Sequence, residues 1–186
     1  MRIIGGRFKG RGLKTPSDHT VRPTSDRLRE TLFNILAHAY DDPMPDARVL
    51  DLFAGTGALG LEALSRGASF AQFVDDSAQG RGLLRANIEN LGVAAQTKVF
   101  RRDATRMGQV HPHAPFHLIF CDPPYHKGLG DKALTSAFEG GWFAPKALIV
   151  FEESSKAEHQ LPSALTLLET RDFGETHVMF LQAPDA

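Results

Sequence analysis

Short apolar runs recur along this chain, helical stretches separate several of them, and aspartates mark the ends of four. Arg48-Val49-Leu50-Asp51-Leu52-Phe53 predicts a first strand, with Ala58 to Arg66 as its helix. Ser69 to Asp75 predicts a second strand, followed by a helix through about Leu91. Thr97 to Arg101, Phe116 to Cys121 and Ala147 to Glu152 predict strands three, four and five. Runs this apolar suit strands buried on both faces, and a parallel neighbour needs a crossover segment to return the chain. The consequence is an α/β fold with a doubly wound, mostly parallel sheet, whose ligands belong at the carboxyl ends of its strands. Leu165 to Arg171 and Thr176 to Leu181, joined through Asp172-Phe173-Gly174-Glu175, add an antiparallel hairpin at one edge, for seven strands in all.

The first strand runs into Gly55-Thr56-Gly57-Ala58-Leu59-Gly60, a G-x-G-x-x-G pattern with Asp75 twenty residues after Gly55. Such a turn lets a ligand approach backbone at a helix N-terminus, and it fits a dinucleotide fingerprint with Asp75 on a ribose. It fits S-adenosylmethionine as well. Asp51, in the approach to the turn, suits a cationic sulfonium and amino group better than a pyrophosphate, and the glycines admit the methionine part of such a cofactor. Asp75 still suits the ribose, and Asp103, in Arg101-Arg102-Asp103-Ala104, suits an adenine edge. An aspartate at a strand end also serves as a helix cap. Four in succession, Asp51, Asp75, Asp103 and Asp122, favour a shared ligand.

The fourth strand leads into Asp122-Pro123-Pro124-Tyr125. Proline has no N–H, so carbonyls in such a turn are less easily claimed by local hydrogen bonds. An acid, two prolines and an aromatic form a stiff, acceptor-rich, flat-faced pocket, suited to a planar group bearing an amino substituent. The plain alternative is a Pro-Pro turn after a strand.

With 186 residues, 42% hydrophobic and 23% charged, the chain is expected to form an ordinary globular core. Its single cysteine, Cys121, excludes an intrachain disulfide and reads as a small buried hydrophobe. No apolar stretch reaches the roughly 20 residues of a membrane span, and no signal-peptide pattern opens the sequence, so a cytoplasmic protein is expected. His111 and His113 flank Pro112 without further clustered ligands, so no metal is expected.

The formal net charge of −1 hides an uneven distribution: residues 1–30 carry eight basic and three acidic side chains. Contact with a polyanion therefore belongs to this arm. Arg2 to Leu13 interleaves apolar, basic and glycine residues as a small β-hairpin would, and basic residues around Phe8 suit phosphate contact with some stacking. Thr24 or Ser25 caps a helix through Leu36, with Leu28, Leu32, Ile35 and Leu36 on one face and Arg27, Glu30 and Asn34 on another. Residues 1–45 thus form a target-contacting extension and residues 46–186 the main domain.

The turn Asp51–Gly60, Phe73-Val74-Asp75 and Asp122-Pro123-Pro124-Tyr125 together resemble a class I methyltransferase acting on an exocyclic amine. With Arg2-Ile3-Ile4-Gly5-Gly6, Gly10-Arg11 and the block Arg22-Pro23-Thr24-Ser25-Asp26-Arg27-Leu28-Arg29-Glu30-Thr31-Leu32-Phe33-Asn34, the chain resembles the RsmD family over nearly its whole length. It departs from that family at Asp75, where relatives often carry Glu, and at Ser77 after the Asp75-Asp76 pair. The resemblance implies a Rossmann-like fold and methyl transfer from S-adenosylmethionine to guanine N2 in 16S rRNA, within a partly assembled small subunit; one chain with a basic arm is expected to act as a monomer. It implies Asp122, Pro123, Pro124 and Tyr125 as catalytic residues: Asp122 and the Pro123 carbonyl accept the amino hydrogens, and Tyr125 stacks on the base. The implied cofactor contacts are Asp51, Phe53, Ala54, Gly55, Thr56 and Gly57 from the first turn, and Asp75, Asp76, Asp103, Ala104 and Asp122 from later strand ends. Arg2, Arg7, Lys9, Arg11, Arg22, Thr24 and Arg27 are the implied RNA contacts. The same tetrad type serves adenine N6 or a glutamine amide, and a nicotinamide-dependent oxidoreductase is the alternative outside methyl transfer.

Overall fold

A computed structural model describes residues 1–17 and 25–185. The strands are β1 (Arg48–Leu52), β2 (Phe70–Val74), β3 (Thr97–Phe100), β4 (Phe116–Cys121), β5 (Phe143–Ser154), β6 (Thr166–Phe173) and β7 (Thr176–Gln182). The helices are α1 (Asp26–Ala39), α2 (Ala58–Ser65), α3 (Ala78–Leu91) and α4 (Leu129–Glu139). The seven strands form one sheet in the order β3-β2-β1-β4-β5-β7-β6. Strands β1 to β5 pair in parallel, while β7 pairs antiparallel with both β5 and β6. The chain steps outward from β1 through β2 to β3, then returns to the other side of β1 with β4. That reversal opens a crevice at the carboxyl ends of β1 and β4, where open α/β sheets bind ligands.

Alternate side chains feed two cores, one on each face of the sheet. Val49, Phe73, Phe120, Val150 and Phe180 pack with Leu32, Phe33, Leu61, Leu84 and Ile88 from α1, α2 and α3. Leu50, Val74, Ile119, Phe151 and Met179 pack on the opposite face with Leu134 and Ala137 of α4 and with Trp142. Both faces being covered accounts for the nearly continuous apolar runs of the central strands. Cys121 is buried, and burial pushes its thiol pKa well above the ordinary value.

Three local features depart from the sequence expectation. Helix α4 is an addition to the expected elements: it starts at Leu129 behind Gly128 in a left-handed conformation, and Ala133, Leu134 and Ala137, at helical spacing, form its buried stripe. Strand β5 begins at Phe143, upstream of Ala147, and continues through Lys146, whose φ of 61° would disfavour regular strand. The expected N-terminal hairpin forms without regular strands: the Arg2–Gly12 antiparallel bridge and the bonds from the amides of Ile3, Gly10 and Leu13 to the carbonyls of Arg11, Ile3 and Met1, each 2.9 Å, close it around a 3-10 turn at Gly6–Phe8.

The reason for the irregular hairpin lies in α2. The amides of Ile4 and Gly5 donate to the two carboxylate oxygens of Glu62 at 2.9 and 3.0 Å, and the Phe8 amide donates to Ser65 Oγ at 3.0 Å. Backbone donors of the arm are therefore divided between helix side chains and the cross-hairpin bonds of Ile3, Gly10 and Leu13. Glu62 is fully buried and also meets Arg66 Nε at 2.9 Å and Arg29 Nε at 3.5 Å. Arg29, counted in the basic arm, is itself fully buried and so contributes no outward charge. Ile3 and Leu13 join the same core as Phe33 and Leu64. The arm is strapped to the sheet domain, not a free tail.

Candidate active site

A cavity of about 700 Å³ opens at the carboxyl ends of the parallel strands. Its wall takes Phe53, Gly55 and Thr56 from the turn after β1, Asp75 and Asp76 from the end of β2, and Asp103 and Ala104 from beyond β3. Asp122, Pro123, Pro124 and Tyr125 follow β4 on the same wall. The turn after β1 and the turn after β4, far apart in sequence, thus face one space because β1 and β4 are hydrogen-bonded neighbours.

The turn is held by its own aspartates. Asp75 accepts from the Gly55 amide through Oδ2 at 2.8 Å and from the Ser77 amide through Oδ1 at 2.8 Å. It therefore ties the glycine turn to the start of α3, whose N-cap Ser77 accepts from Gly80 at 2.9 Å. Gly57 caps α2 with a φ of 83°, and a Cβ there would lie 2.3 Å from Leu84 Cδ1, so both conformation and packing require glycine. Gly55, by contrast, also has positive φ but no protein atom within 4 Å of where its Cβ would stand. The space beside that backbone is open to a ligand. Phe53, a non-glycine residue, is held at a φ of 58°, a strained conformation of the kind that gathers at functional sites.

Asp51, Ala54 and Gly57 lie behind this wall rather than on it. Asp51 is only 2% exposed and accepts from the Gly60 amide at 3.0 Å. Burial, reinforced by the negative charge of Asp75 and opposed by the Gly60 hydrogen bond, pushes its pKa up to about 8. Its carboxyl braces the first turn of α2, a task that its place in the sequence did not distinguish from ligand contact. Asp103 is engaged locally: its Oδ1 accepts from the amide and hydroxyl of Thr105 at 2.9 and 2.7 Å, which holds its pKa below the usual carboxylate value.

Around the tetrad, Tyr125 is fixed at its hydroxyl, 2.7 Å from Thr176 Oγ1 and 3.3 Å from Glu152 Oε1. Its ring therefore has a set orientation on the cavity wall. Glu152, at the C-terminal part of β5, also lines the cavity and is 7% exposed. Glu152 and Thr176 went unremarked in the sequence; a carboxylate closing the apolar run Ala147 to Phe151 was the available signal for the former. Leu28 of α1, Leu83 of α3, Leu129 of α4 and Pro16 of the arm complete an apolar part of the lining.

Arg2, Arg7, Lys9, Arg11 and Arg27 are all exposed, while Arg22 and Thr24 lie outside the described residues. Arg7 donates to Gln96 Oε1 at 2.6 Å and covers the Phe8 ring at 4.5 Å, and Arg11 donates to the Asn90 carbonyl at 2.7 Å. Among the described residues, no helix is long and apolar enough to cross a membrane, and no cluster of three or more His, Cys, Asp or Glu could hold a metal ion.

A Rossmann-like sheet with a terminal antiparallel hairpin, and a strand-end cavity carrying both the glycine turn and the Asp-Pro-Pro-Tyr turn, defines a class I methyltransferase. The profile of the family described as Conserved hypothetical protein 95 matches residues 1–182. Ribosomal RNA small subunit methyltransferase D of Escherichia coli (strain K12) is 40% identical over 165 residues, which are 88% of this chain and 78% of that protein. The protein of the same name from Haemophilus influenzae is 35% identical over 181 residues, covering 94% and 89% of the two chains. The solved structure of yhhF from Escherichia coli superimposes with a TM-score of 0.84 at 33% identity, covering 100% of this chain and 99% of that one. The chain belongs to the RsmD family of methyltransferases. Membership removes the nicotinamide-dependent oxidoreductase as an alternative.

Proposed function

We propose that this protein transfers a methyl group from S-adenosylmethionine to the exocyclic N2 of one guanine in 16S rRNA, acting in the cytoplasm as a monomer on a partly assembled small subunit. The observation that carries this is the shared cavity: the Asp122–Tyr125 turn and the Gly55, Asp75 and Asp103 wall open on one space. The names of the Escherichia coli and Haemophilus influenzae relatives support ribosomal RNA of the small subunit as substrate.

The residues fit the cofactor. Gly55 leaves room for close approach, Asp75 holds acceptor oxygens at the edge of that room for ribose hydroxyls, and Asp103 with Ala104 offers a polar and an apolar contact for adenine. S-adenosylmethionine supplies, when bound, a methyl group made electrophilic by its sulfonium. Asp122 and the Pro123 carbonyl accept the two hydrogens of the target amine, turning its lone pair out of conjugation with the ring. Positioning and preorganised acceptors of this kind act without a covalent enzyme intermediate. Tyr125, held by its hydroxyl, gives the base a fixed face to stack on, a contact typically worth about 1–3 kcal/mol. The target base leaves its stack, or is already unpaired, to reach this depth.

Residues 1–45 supply target contact and residues 46–186 the chemistry. Arg27 is exposed between Ser25 and Leu28 of the cavity lining, and exposed Arg2 has its amide on Asp26 beside them, so both carry positive charge at the cavity side, whereas Lys9 follows Phe8, which is tied to Ser65 at the far end of α2. Nucleoside mass spectrometry of 16S rRNA from a strain lacking the protein tests the function: loss of N2-methylguanosine at one position is expected, and an unchanged nucleoside profile refutes it.

A further inference from the structure

The Asp-Pro-Pro-Tyr turn accepts an amine, but adenine N6, guanine N2 and a glutamine amide all offer one. What distinguishes them is the atom beside the amine. Guanine places a donor there, the N1–H. Adenine places the N1 lone pair, and glutamine a carbonyl oxygen; both are acceptors.

The structure sets a second carboxylate beside Asp122. Strands β4 and β5 run parallel and their last paired residues are Cys121 and Phe151, so Asp122, opening the turn after β4, and Glu152, still within β5, each follow that last pair. Adjacent strands stand about 4.8 Å apart, so side chains leaving neighbouring strand ends at this level can reach the same ligand edge. Both residues line the cavity, and Glu152 reaches the hydroxyl of Tyr125, the residue that presents the stacking face. A base lying on Tyr125 with its amine at Asp122 therefore brings the neighbouring ring position toward Glu152.

We propose that Glu152 is the specificity-determining residue for guanine, its carboxylate accepting the N1–H while Asp122 and Pro123 hold the N2 amine. This rests on the guanine-N2 function proposed above. Two carboxylates match an edge with three donated hydrogens. Against adenine or glutamine the second carboxylate meets an acceptor lone pair in a buried site, where an unmatched polar group is most costly. Glu152 thus assigns to one residue a choice that the tetrad leaves open.

The test compares two bases that share the N2 amine and differ at N1 and at C6, where guanine alone carries a carbonyl; the Glu152 variant isolates the contribution of N1. Small subunits are reconstituted around 16S rRNA carrying, at the position found by the nucleoside mapping, either guanine or 2-aminopurine, which has a bare N1. The wild-type protein should methylate guanine with a kcat/KM about 10- to 100-fold above that for 2-aminopurine. In Glu152→Gln the amide can present its oxygen to guanine or its nitrogen to 2-aminopurine, so the ratio should collapse toward one, with the S-adenosylmethionine Kd within about twofold of wild type. If both substrates slow together and the ratio keeps its wild-type value, Glu152 only braces Tyr125 and the proposal is overturned. Wild-type protein that methylates no N2 in either particle overturns the guanine-N2 function itself, an outcome read without reference to the variant.

Discussion

Replacing Glu62 with alanine should cost this protein a large fraction of its stability, although the residue touches no part of the cavity. Glu62 is fully buried in α2 and accepts from the amides of Ile4 and Gly5 at 2.9 and 3.0 Å and from Arg66 Nε at 2.9 Å, with Arg29 Nε at 3.5 Å. Alanine leaves two backbone donors without these acceptors, the fully buried Arg29 without this counter-charge and the partly exposed Arg66 without its partner. Each stranded buried donor costs about 1–3 kcal/mol, and removing one partner of a buried ion pair typically costs about 3–5 kcal/mol. These overlap rather than add, so a loss of about 3–5 kcal/mol is expected, or roughly 6–20 °C in Tm for a domain of this size. Urea unfolding followed by far-UV circular dichroism measures the loss, and hydrogen exchange should show the Ile4 and Gly5 amides exposed first. A loss under about 1 kcal/mol, with both amides still protected, would refute the strap as a source of stability.

The other predictions concern the site and the arm. Asp122→Ala should abolish methyl transfer while S-adenosylmethionine binding, followed by calorimetry, largely survives; unchanged turnover would remove Asp122 from the mechanism. Asp51 ionises in the unfolded chain above its ordinary pKa of 3.8, but in the folded protein only near 8. Its burial therefore costs stability progressively as pH rises from about 4 to about 8, and the cost is constant above that range. Asp51→Asn keeps an acceptor for Gly60 and should gain on the wild type by an amount that grows across this interval, reaching order of a few kcal/mol. Equal unfolding midpoints at pH 5 and pH 8, relative to wild type, would contradict it. Lys9→Ala and Arg27→Ala should each weaken binding to small subunits and reduce the slope of log K against log salt by about 0.7–0.9, leaving cofactor affinity unchanged. Arm deletion cannot serve this purpose, because it also removes Ile3 and Leu13 from the core and the amides that Glu62 accepts from.

Much of the fold was written in the sequence alone. The apolar runs at Val49, Phe73, Ile119 and Ile149 are continuous because their strands are covered on both sides, and that periodicity survives without knowing what covers them. The glycine turn and the tetrad were legible for the same reason: local backbone chemistry, a left-handed glycine or a proline without its N–H, is carried by the residue itself. What depends on distant partners was not legible. Asp51 looked like a ligand contact, and only the packing of α2 shows its carboxyl turned to the Gly60 amide. Glu62 reads in sequence as one acid on a short helix, yet it accepts from Ile4, Gly5 and Arg66 and faces the charge of Arg29, partners up to fifty-eight residues away. Helix α4 carries its amphipathic stripe in Ala133, Leu134 and Ala137, but only the fold shows what that stripe packs on, the core shared with Ile119 and Phe151.

The sequence by itself determined the order of strands and helices, the class of turn at each strand end and the chemistry each turn offers. Only the tertiary structure decided which of those ends meet: the return of β4 to the side of β1 puts the tetrad across from the glycine turn, and the register of β5 sets Glu152 beside Asp122. The physical reason is that propensity and periodicity are properties of neighbours along the chain, whereas a site is made by residues brought together through burial.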